Sequence, residues 1–464
     1  MDPVLLGEIL SLLMFFTIIG VLMMGFPVAF SLAGTSVIFA AIGHALGVFD
    51  LSNFSSLAPR YLGVMLNEVL VAVPLFIFMG MMLERSGIAE QLLITMGRLF
   101  GKLRGGLGLS VIVVGALLAA STGIVGATVV TMGLLSLPAM MRAGYDPKLA
   151  TGVICASGTL GQIIPPSTVL IFMGDMLAGV NQQVQMSKGN FAPTPVSVGD
   201  LFAGAFIPGL ILVAVYMAFM IYKAVTQPET CPALEVTDDE RKRLFHDVIF
   251  TLIPPLLLII AVLGSILGGV ATPTESASVG AVGAMFLAAL RRKLTFANLR
   301  QVMFATANTT TMIFIILIGA SVFSLVFRMM GGEELVSDFL NSLPGGKVGA
   351  IIFVMLLMFL LGFILDTFEI IFLVIPITAP ILLMMDIDPI WLGVMVAVNL
   401  QTSFLTPPFG FALFYLRGVA PDTITTRHIY QGALPFVVLQ VSVIALLIIF
   451  PELITWLPDK IYGR

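Results

Sequence analysis

The sequence is poor in charged residues and in the side chains that bind transition metals. Charged residues fill only 10% of its 464 positions, whereas a soluble domain has about 25%. Its three histidines and two cysteines form no cluster with metal-ligand spacing, so we expect no zinc or iron centre. Cys155 lies in an apolar run and Cys231 in a polar stretch, which predicts no disulfide framework. With a net charge of only −4, we also expect no nucleic-acid surface.

Long apolar runs take the place of the missing charge. Apolar residues make up 59% of the chain, and the runs 3–26, 249–267 and 433–450 approach the roughly 20 residues that cross a bilayer. A soluble fold of this size could not bury so much apolar surface. The composition therefore predicts an all-α polytopic membrane protein.

The two halves of the chain match each other in order. A polar stretch, 226–247, separates them. One matching pair of prolines would arise readily by chance, but an ordered series at nearly constant spacing is typical of a duplicated unit. The matching positions are Pro27 and Pro273, Gly87 and Gly332, Pro138 and Pro380, Asp146-Pro147 and Asp388-Pro389, and Pro165-Pro166 and Pro407-Pro408.

Charges in the loops predict that the two halves have opposite orientations in the membrane. Loop 43–56 has no Lys or Arg, while its counterpart 291–300 has four. The amphipathic segment 88–106 is basic, while its counterpart 331–343 carries acids and no cation. Because Lys and Arg in short loops stay on the cytoplasmic side, the halves are predicted to be inverted repeats, which are typical of secondary transporters.

This orientation divides the chain into two similar series of segments around a cytoplasmic linker, 226–247. Each series has three scaffold spans, an interfacial arm, a re-entrant hairpin, a broken helix and a last span. An ordinary cytoplasmic loop helix is the alternative for the first arm. The first repeat, 1–225, has spans in 3–84 (near 3–25, 27–45 and 62–84), arm 88–106, hairpin 107–141, broken helix 149–178 and span 200–224. The second, 248–464, has spans in 248–328, arm 331–343, hairpin 348–385, broken helix 389–417 and span 430–455.

Each predicted broken helix contains two adjacent prolines, Pro165-Pro166 and Pro407-Pro408. Proline removes a backbone donor and clashes with the preceding helical turn. A broken backbone at membrane depth is tolerated only where protein buries it or where it lines a watery cavity. Freed carbonyl groups can bind Na⁺, and helix N-termini favour anions. We therefore expect each break, with the hairpin tip of its own half, to form one of two similar Na⁺ sites flanking an anionic substrate.

The candidate ligands are mostly uncharged oxygens, which suit a hard cation. Gly158 and Gly161 are expected to permit unusual backbone angles. The alternative for each Ser or Thr is a hydrogen bond to the preceding helical carbonyl or to a neighbouring helix. The candidates are Ser121, Thr122 and Thr128 at the first tip; Ser157, Gly158, Thr159, Gly161, Pro165 and Pro166 at the first break; Asp366 and Thr367 at the second tip; and Asn399, Gln401, Thr402, Thr406, Pro407 and Pro408 at the second break. The predicted Na⁺ sets are Ser121, Ser157 and Gly161, and Asp366, Asn399 and Thr402.

Acidic residues near the apolar segments are predicted to have different roles. Asp366 lies inside a long apolar segment, and a buried carboxylate at membrane depth is costly, so we expect a site role; a tip exposed to water is the alternative. Glu369, one turn later, is expected to be structural. Asp146 and Asp388 precede prolines and are expected to cap helices. The sequence Thr272-Pro273-Thr274-Glu275 fits a capping box.

Four segments together resemble the large membrane subunit of tripartite ATP-independent periplasmic (TRAP) transporters. They are GVATPTESASVGAVGA (269–284), AGYDPKLATGVICASGTLGQIIPPS (143–167), LGFILDTFEIIFLVIPITAPI (361–381) and NLQTSFLTPPFGFALF (399–414). The resemblance covers nearly the whole chain. It implies a scaffold with an elevator-type transport domain in the bacterial inner membrane, and no enzymatic activity.

The resemblance also implies partners. It implies Na⁺-driven uptake of a small organic carboxylate delivered by a periplasmic substrate-binding protein, with Na⁺ as coupling ion and no other cofactor. It implies contact with membrane lipid and with a small four-helix membrane subunit. Since no four-helix extension precedes Met1, we expect that subunit to be a separate polypeptide.

Two departures from the family pattern and two rival functions stay open. The first tip, ASTGIVGAT, has fewer serines than is usual, and the longer loop 181–199 could dock the binding protein or be an idle insertion. A stand-alone Na⁺/dicarboxylate symporter of related fold is the main alternative, which a requirement for a binding protein would exclude. An intramembrane aspartyl protease using Asp146 and Asp366 is remote, because Asp366 lacks a glycine-rich signature.

Overall fold

The computed structural model describes residues 2–234 and 238–463, without the side chains of residues 121–122, 238–243 and 245. Every regular element in these ranges is helical. The first half contains α1 (Pro3–Met23), α2 (Val28–Ala45), α3 (Leu57–Met65), α4 (Ala72–Arg85), α5 (Ile88–Phe100), α6 (Gly106–Thr122), α7 (Val125–Arg142), α8 (Pro147–Thr159), α9 (Thr168–Ser187) and α10 (Val198–Thr226). The second half contains α11 (Asp238–Thr251), α12 (Ile253–Leu267), α13 (Pro273–Leu290), α14 (Phe296–Met329), α15 (Gly332–Ser342), α16 (Lys347–Leu361), α17 (Thr367–Met384), α18 (Pro389–Leu405), α19 (Phe411–Val419), α20 (Thr426–Ile449) and α21 (Glu452–Tyr462).

Eight helical segments of the described chain are long and apolar enough to cross a membrane, or nine if one bent pair counts as a single span. They include the 34-residue α14, whose most apolar stretch has a hydropathy of 2.4. Many of their large apolar side chains are exposed, such as Phe16 and Phe304, as expected of surfaces that face lipid. The predicted all-α polytopic membrane fold is therefore confirmed.

The region of the predicted span 62–84 differs from a single straight helix. α3 ends at Met65 and α4 begins at Ala72, so a break at residues 66–71 interrupts the predicted span. The polar pair Asn67 and Glu68 occupies the break, and the Asn67 side chain accepts a hydrogen bond from the Val69 nitrogen at 3.0 Å. This local bond competes with a helical one, which explains the interruption.

Both predicted hairpin regions consist of two helices with a short break between them. α6 and α7 contact each other and are separated only by residues 123–124, while α16 and α17 are separated by residues 362–366. The second helix of each pair contains proline, at Pro138 in α7 and at Pro380 in α17. Neither α6 nor α16 reaches 18 residues, so each is short for a full crossing.

Local structure recurs in the same order in both halves. Each arm helix follows a left-handed glycine, Gly87 (φ 72°) before α5 and Gly331 (φ 83°) before α15. α8 begins at Pro147 and α18 at Pro389. The Pro165-Pro166 and Pro407-Pro408 bonds are both cis. These matches fit a duplicated unit, and the opposite membrane orientation of the halves stays a prediction.

One compact unit contains residues 1–70, 175–196 and 308–389. In it, α1 packs on α2, and Gly319 of α14 faces the Ala29 carbonyl of α2 so closely that a Cβ atom would lie 2.4 Å away. Just after the end of α9, Lys188 Nζ donates to the Leu383 carbonyl at 2.8 Å and to the Asp386 carboxylate at 2.6 Å. The hydrogen bond from Lys188 lowers the pKa of the Asp386 carboxyl. The bond joins the end of α9 to the loop that follows α17.

The other compact unit contains residues 71–174, 197–307 and 390–464. α8 and α20 cross at two glycines, since a Cβ at Gly152 would lie 2.1 Å from the Gly432 carbonyl. Small residues allow helices in membranes to approach this closely. α21, which the sequence did not predict as a separate helix, packs on α10. Each unit combines segments of both sequence halves. The division into a scaffold and a transport domain stays a prediction.

The described part of the predicted linker is ordered against the base of the first hairpin. The Gly105 nitrogen donates to the Cys231 carbonyl at 2.8 Å, and the Leu234 nitrogen donates to the Gly101 carbonyl at 2.7 Å. The Asp146 nitrogen, at the start of α8, donates to Thr230 at 2.9 Å. Residues 230–234 thus connect the end of the arm with the start of the first broken helix.

Candidate functional site

The first break interrupts the helical path between α8 and α9. α8 ends at Thr159, a single 3-10 turn spans Leu160–Gln162, and α9 begins at Thr168. Pro165 and Pro166 have no N–H to continue a helix. The Ser167 hydroxyl instead donates to the Gln162 carbonyl at 2.8 Å, across the break. Residues 163–167 thus present non-helical backbone inside the protein, with Ser167 fully buried.

The tip of the first hairpin contacts this break. α6 ends at Thr122, and its C-cap residue Gly123 has a φ of 61°, in the left-handed conformation that favours glycine. The Thr168 hydroxyl donates to the Gly123 carbonyl at 3.0 Å. A Cβ atom at Gly123 would lie 3.1 Å from the Thr168 nitrogen. The predicted pairing of the first tip with the first break is therefore seen in the structure as a direct contact.

Gly158 of α8 packs closely on a neighbouring helix, and neither it nor Gly161 of the following 3-10 turn adopts a left-handed conformation. The expected reason for these two residues is therefore wrong. A Cβ at Gly158 would lie 2.3 Å from Val129 Cγ2 of α7, and one at Gly161 would lie 3.6 Å from Ala119 of α6. Gly158 thus lets the hairpin lie against the broken helix, an effect that depends on neighbours distant in sequence.

The hydroxyl groups of the candidate residues bond to carbonyls within their own helices. This is the alternative that their sequence pattern left open. A hydroxyl that donates in this way keeps lone pairs that can bind a cation, so the bonds do not exclude a ligand role. The bonds run from Thr128 to Ile124 (3.0 Å), Ser157 to Val153 (2.6 Å), Thr159 to Ala156 (2.9 Å), Thr402 to Val398 (2.8 Å) and Thr406 to Thr402 (2.7 Å). The side chains of Ser121 and Thr122 lie outside the described part of the structure.

The second break separates α18 from α19 at residues 406–410. The Tyr430 hydroxyl of α20 donates to the Pro408 carbonyl at 2.8 Å. The Gly410 nitrogen donates to Thr406, and a Cβ at Gly410 would lie 2.5 Å from the Phe404 carbonyl. The backbone turns back on itself here, and Asn399, within the preceding helix α18, is 7% exposed.

Gln401 belongs to a buried polar cluster with residues of two other helices. Gln440 of α20 donates to the Tyr216 hydroxyl of α10 at 2.7 Å, and all three side chains are fully buried. The amide of Gln401 lies beside the same hydroxyl but makes no hydrogen bond of its own with any described residue. An unsatisfied buried amide is costly. Its predicted ion contact stays a prediction, and its observed neighbours are Tyr216 and Gln440.

The second hairpin tip belongs to the compact unit of residues 1–70, 175–196 and 308–389. Asp366 is the N-cap residue of α17 and forms a capping box with Glu369, whose carboxylate accepts from the Asp366 nitrogen at 2.9 Å. Glu369 therefore has the predicted structural role. Thr367 follows Asp366 and is 2% exposed. The site role of Asp366, and its grouping with Asn399 and Thr402, stay predictions.

Two other capping predictions are confirmed. The Asp146 carboxylate accepts from the Lys148 nitrogen at 2.7 Å and caps α8. Thr272 and Glu275 form the expected capping box at the start of α13. Because helix caps account for these acids, neither position needs a catalytic explanation.

The sequence that forms these elements matches a known family. The model of the tripartite ATP-independent periplasmic transporter, DctM component, matches residues 15–453. This chain belongs to that family. Its members named as large permease proteins are transporter subunits rather than enzymes, which confirms the expectation of no enzymatic activity.

Two relatives and one solved structure are similar to this chain over nearly the full length of both proteins. The C4-dicarboxylate TRAP transporter large permease protein DctM of Vibrio cholerae is 29% identical over 97% of this chain and 98% of its own. The sialic acid TRAP transporter large permease protein SiaM of the same organism is 28% identical over 96% and 97%. The Alcanivorax borkumensis YdaH transporter, 14% identical, covers 97% of this chain with a TM-score of 0.60, which shows a shared fold alone.

One acid in this TRAP permease was missed by the sequence reasoning. Asp175 lies in α9, which follows the first break, and accepts a hydrogen bond from the Asn67 amide at 2.7 Å. Asn67 lies in the break between α3 and α4. The rule that singled out Asp366 also applies here, because Asp175 stands inside the apolar run VLIFMGDMLAGV. A polar break in one span thus pairs with a partly buried acid in another.

Proposed function

We propose that this chain is the membrane subunit through which a Na⁺-coupled importer moves a small organic carboxylate across the bacterial inner membrane. A periplasmic binding protein delivers the substrate, and a small four-helix membrane subunit completes the complex. Membership of a tripartite transporter family supports the partners. The names of the two relatives, which specify a C4-dicarboxylate and sialic acid, support a carboxylate substrate.

The contact between the first hairpin tip and the first break carries this proposal. The Gly123 carbonyl, the Thr168 hydroxyl and the non-helical residues 163–167 bring uncharged oxygens together at a helix interruption. Hard cations bind such oxygens, and broken helices supply them in secondary transporters. Ser157 and Gly161 lie on the same broken helix, opposite Gly115 and Ala119 of α6. We place the first Na⁺ here and the second, by repeat symmetry, at Asp366, Asn399 and Thr402.

The mechanism proposed is of the elevator type. The two hairpins and two broken helices carry the ions and the carboxylate as one body. They move against a scaffold made of the first three spans of each half, the two arms and the small subunit. The duplicated order of local structure supports this division, because each half supplies one hairpin and one broken helix.

Uptake by purified components tests the proposed function. The chain is reconstituted in liposomes with its small subunit, and its binding protein is added outside with labelled succinate or sialic acid. An inward Na⁺ gradient should drive accumulation, and an equal K⁺ gradient should not. Omitting the binding protein should abolish uptake. Na⁺-driven uptake without it would favour the stand-alone symporter, and uptake that ignores Na⁺ would refute the coupling.

A further inference from the structure

A cavity of about 350 Å³ opens between the first arm helix and the second helix of the first hairpin. Its walls come from α5, α7, the first turn of α6 and the linker residue Leu234, all of the same compact unit. Leu234 is fixed in place because its nitrogen donates to the Gly101 carbonyl at 2.7 Å. The cavity is therefore bordered by ordered elements on each of these sides.

Most of the cavity wall is apolar. Leu93 and Leu107 are buried in it, while Ile94 is 46% exposed and continues the apolar wall towards the surface. Leu135 and Ala139 of α7 line the opposite side, and Gly97 has no side chain to fill the gap. A hydrocarbon chain fits such a lining, since burying apolar surface is favourable.

Two arginines and one glutamate lie in the lining of the same cavity. Arg98 lies 3.7 Å from Asp247, and Arg142, at the end of α7, has no ion pair among the described residues. Glu90 is the one acid in the lining, and Asp247, outside the lining, offsets the charge of Arg98, so Arg142 is the cavity cation without an ion pair among the described residues. An arginine fork matches the oxygens of a phosphate group. The cavity thus combines an apolar wall with a site for one negative charge.

We propose that this cavity binds a membrane phospholipid with an anionic headgroup, with its phosphate at Arg98 and Arg142 and an acyl chain along Leu93, Ile94 and Leu135. The proposal relies on the proposed function only in placing the arm at the cytoplasmic surface. Anionic lipids in that leaflet attract basic residues at the membrane surface. A bound lipid would fasten the arm helix to the hairpin.

The test measures lipid binding without substrate or Na⁺, so its outcome is independent of the transport mechanism. The full chain in mixed detergent micelles is titrated with phosphatidylglycerol or phosphatidylcholine, and the thermal unfolding midpoint is followed. Phosphatidylglycerol should raise the midpoint more than phosphatidylcholine. Arg98→Gln and Arg142→Gln should each weaken the phosphatidylglycerol effect about tenfold in concentration, as expected for losing one charged hydrogen bond.

Three further variants separate the lipid site from other effects. Asp247→Asn removes the ion pair of Arg98 but keeps both cavity cations, and Lys293→Gln removes an exposed charge elsewhere; both should retain the effect. Ala139→Phe keeps both arginines and fills the cavity, so it should lose the effect even if the arginine variants do not fold. An equal response of wild type and Ala139→Phe would overturn the proposal. So would full stabilisation by glycerol phosphate, which has the headgroup phosphate but no acyl chain.

Discussion

At the scale of single residues, Asp366 has an observed role as a helix cap and a predicted role as a Na⁺ ligand. Its side chain caps α17. The positive end of the helix dipole favours a carboxylate at this position, so the cap alone is enough to explain the acid. Asparagine caps helices about as well as aspartate but has no charge. Asp366→Asn should therefore leave the unfolding midpoint nearly unchanged while Na⁺-driven uptake falls severely, because the cation loses its counter-charge. Thermal unfolding and uptake are measured on the same preparation.

Glu369→Gln is the matched control for that change. It keeps an oxygen that can accept from the Asp366 nitrogen and removes the neighbouring charge. Uptake should survive in this variant if Glu369 is structural. Normal uptake by Asp366→Asn would mean that Asp366 is a helix cap and no more.

At the scale of elements, the first hairpin and the first broken helix are held together by the bond between Thr168 and Gly123. Thr168→Val keeps the shape of the side chain and removes its hydroxyl. We expect a stability loss of about 1 kcal/mol, the net value of one hydrogen bond, and a higher Na⁺ concentration for half-maximal uptake. Thr378→Val removes a hydroxyl that bonds only within α17 and should not change the Na⁺ requirement. An equal Na⁺ requirement in both variants would contradict the placement of the first cation site.

These elements also show what the sequence can and cannot predict. Both helix breaks could be found because proline acts on its own backbone, and the caps of α8 and α13 could be found because capping is local. The packing role of Gly158 could not, since it depends on Val129 in another helix. The neighbours of Gln401 depend in the same way on how α10, α18 and α20 are rotated. The break at residues 66–71 was missed because the surrounding apolar residues concealed its short polar signal.

At the scale of the whole molecule, the prediction that matters most is the opposite orientation of the two halves. The repeated order of arms, hairpins and broken helices agrees with duplication, but only the loop charges predict inversion. The loops can be labelled one by one, because Ser55, Ala192, Glu229 and Lys293 are all exposed. The native Cys155 and Cys231 are buried and are replaced by alanine to give a silent background.

Single cysteines at these four positions decide the orientation in intact cells. Ser55→Cys and Ala192→Cys should react with a membrane-impermeant maleimide added from the periplasmic side. Glu229→Cys and Lys293→Cys should react only after the membrane is opened, because their loops carry or adjoin the basic clusters kept in the cytoplasm. The pair Ser55 and Lys293 is the most informative, since loops 43–56 and 291–300 occupy corresponding places in the two halves. If both reacted from the same side, the halves would be parallel, and two cation sites related by an inverted repeat could not exist.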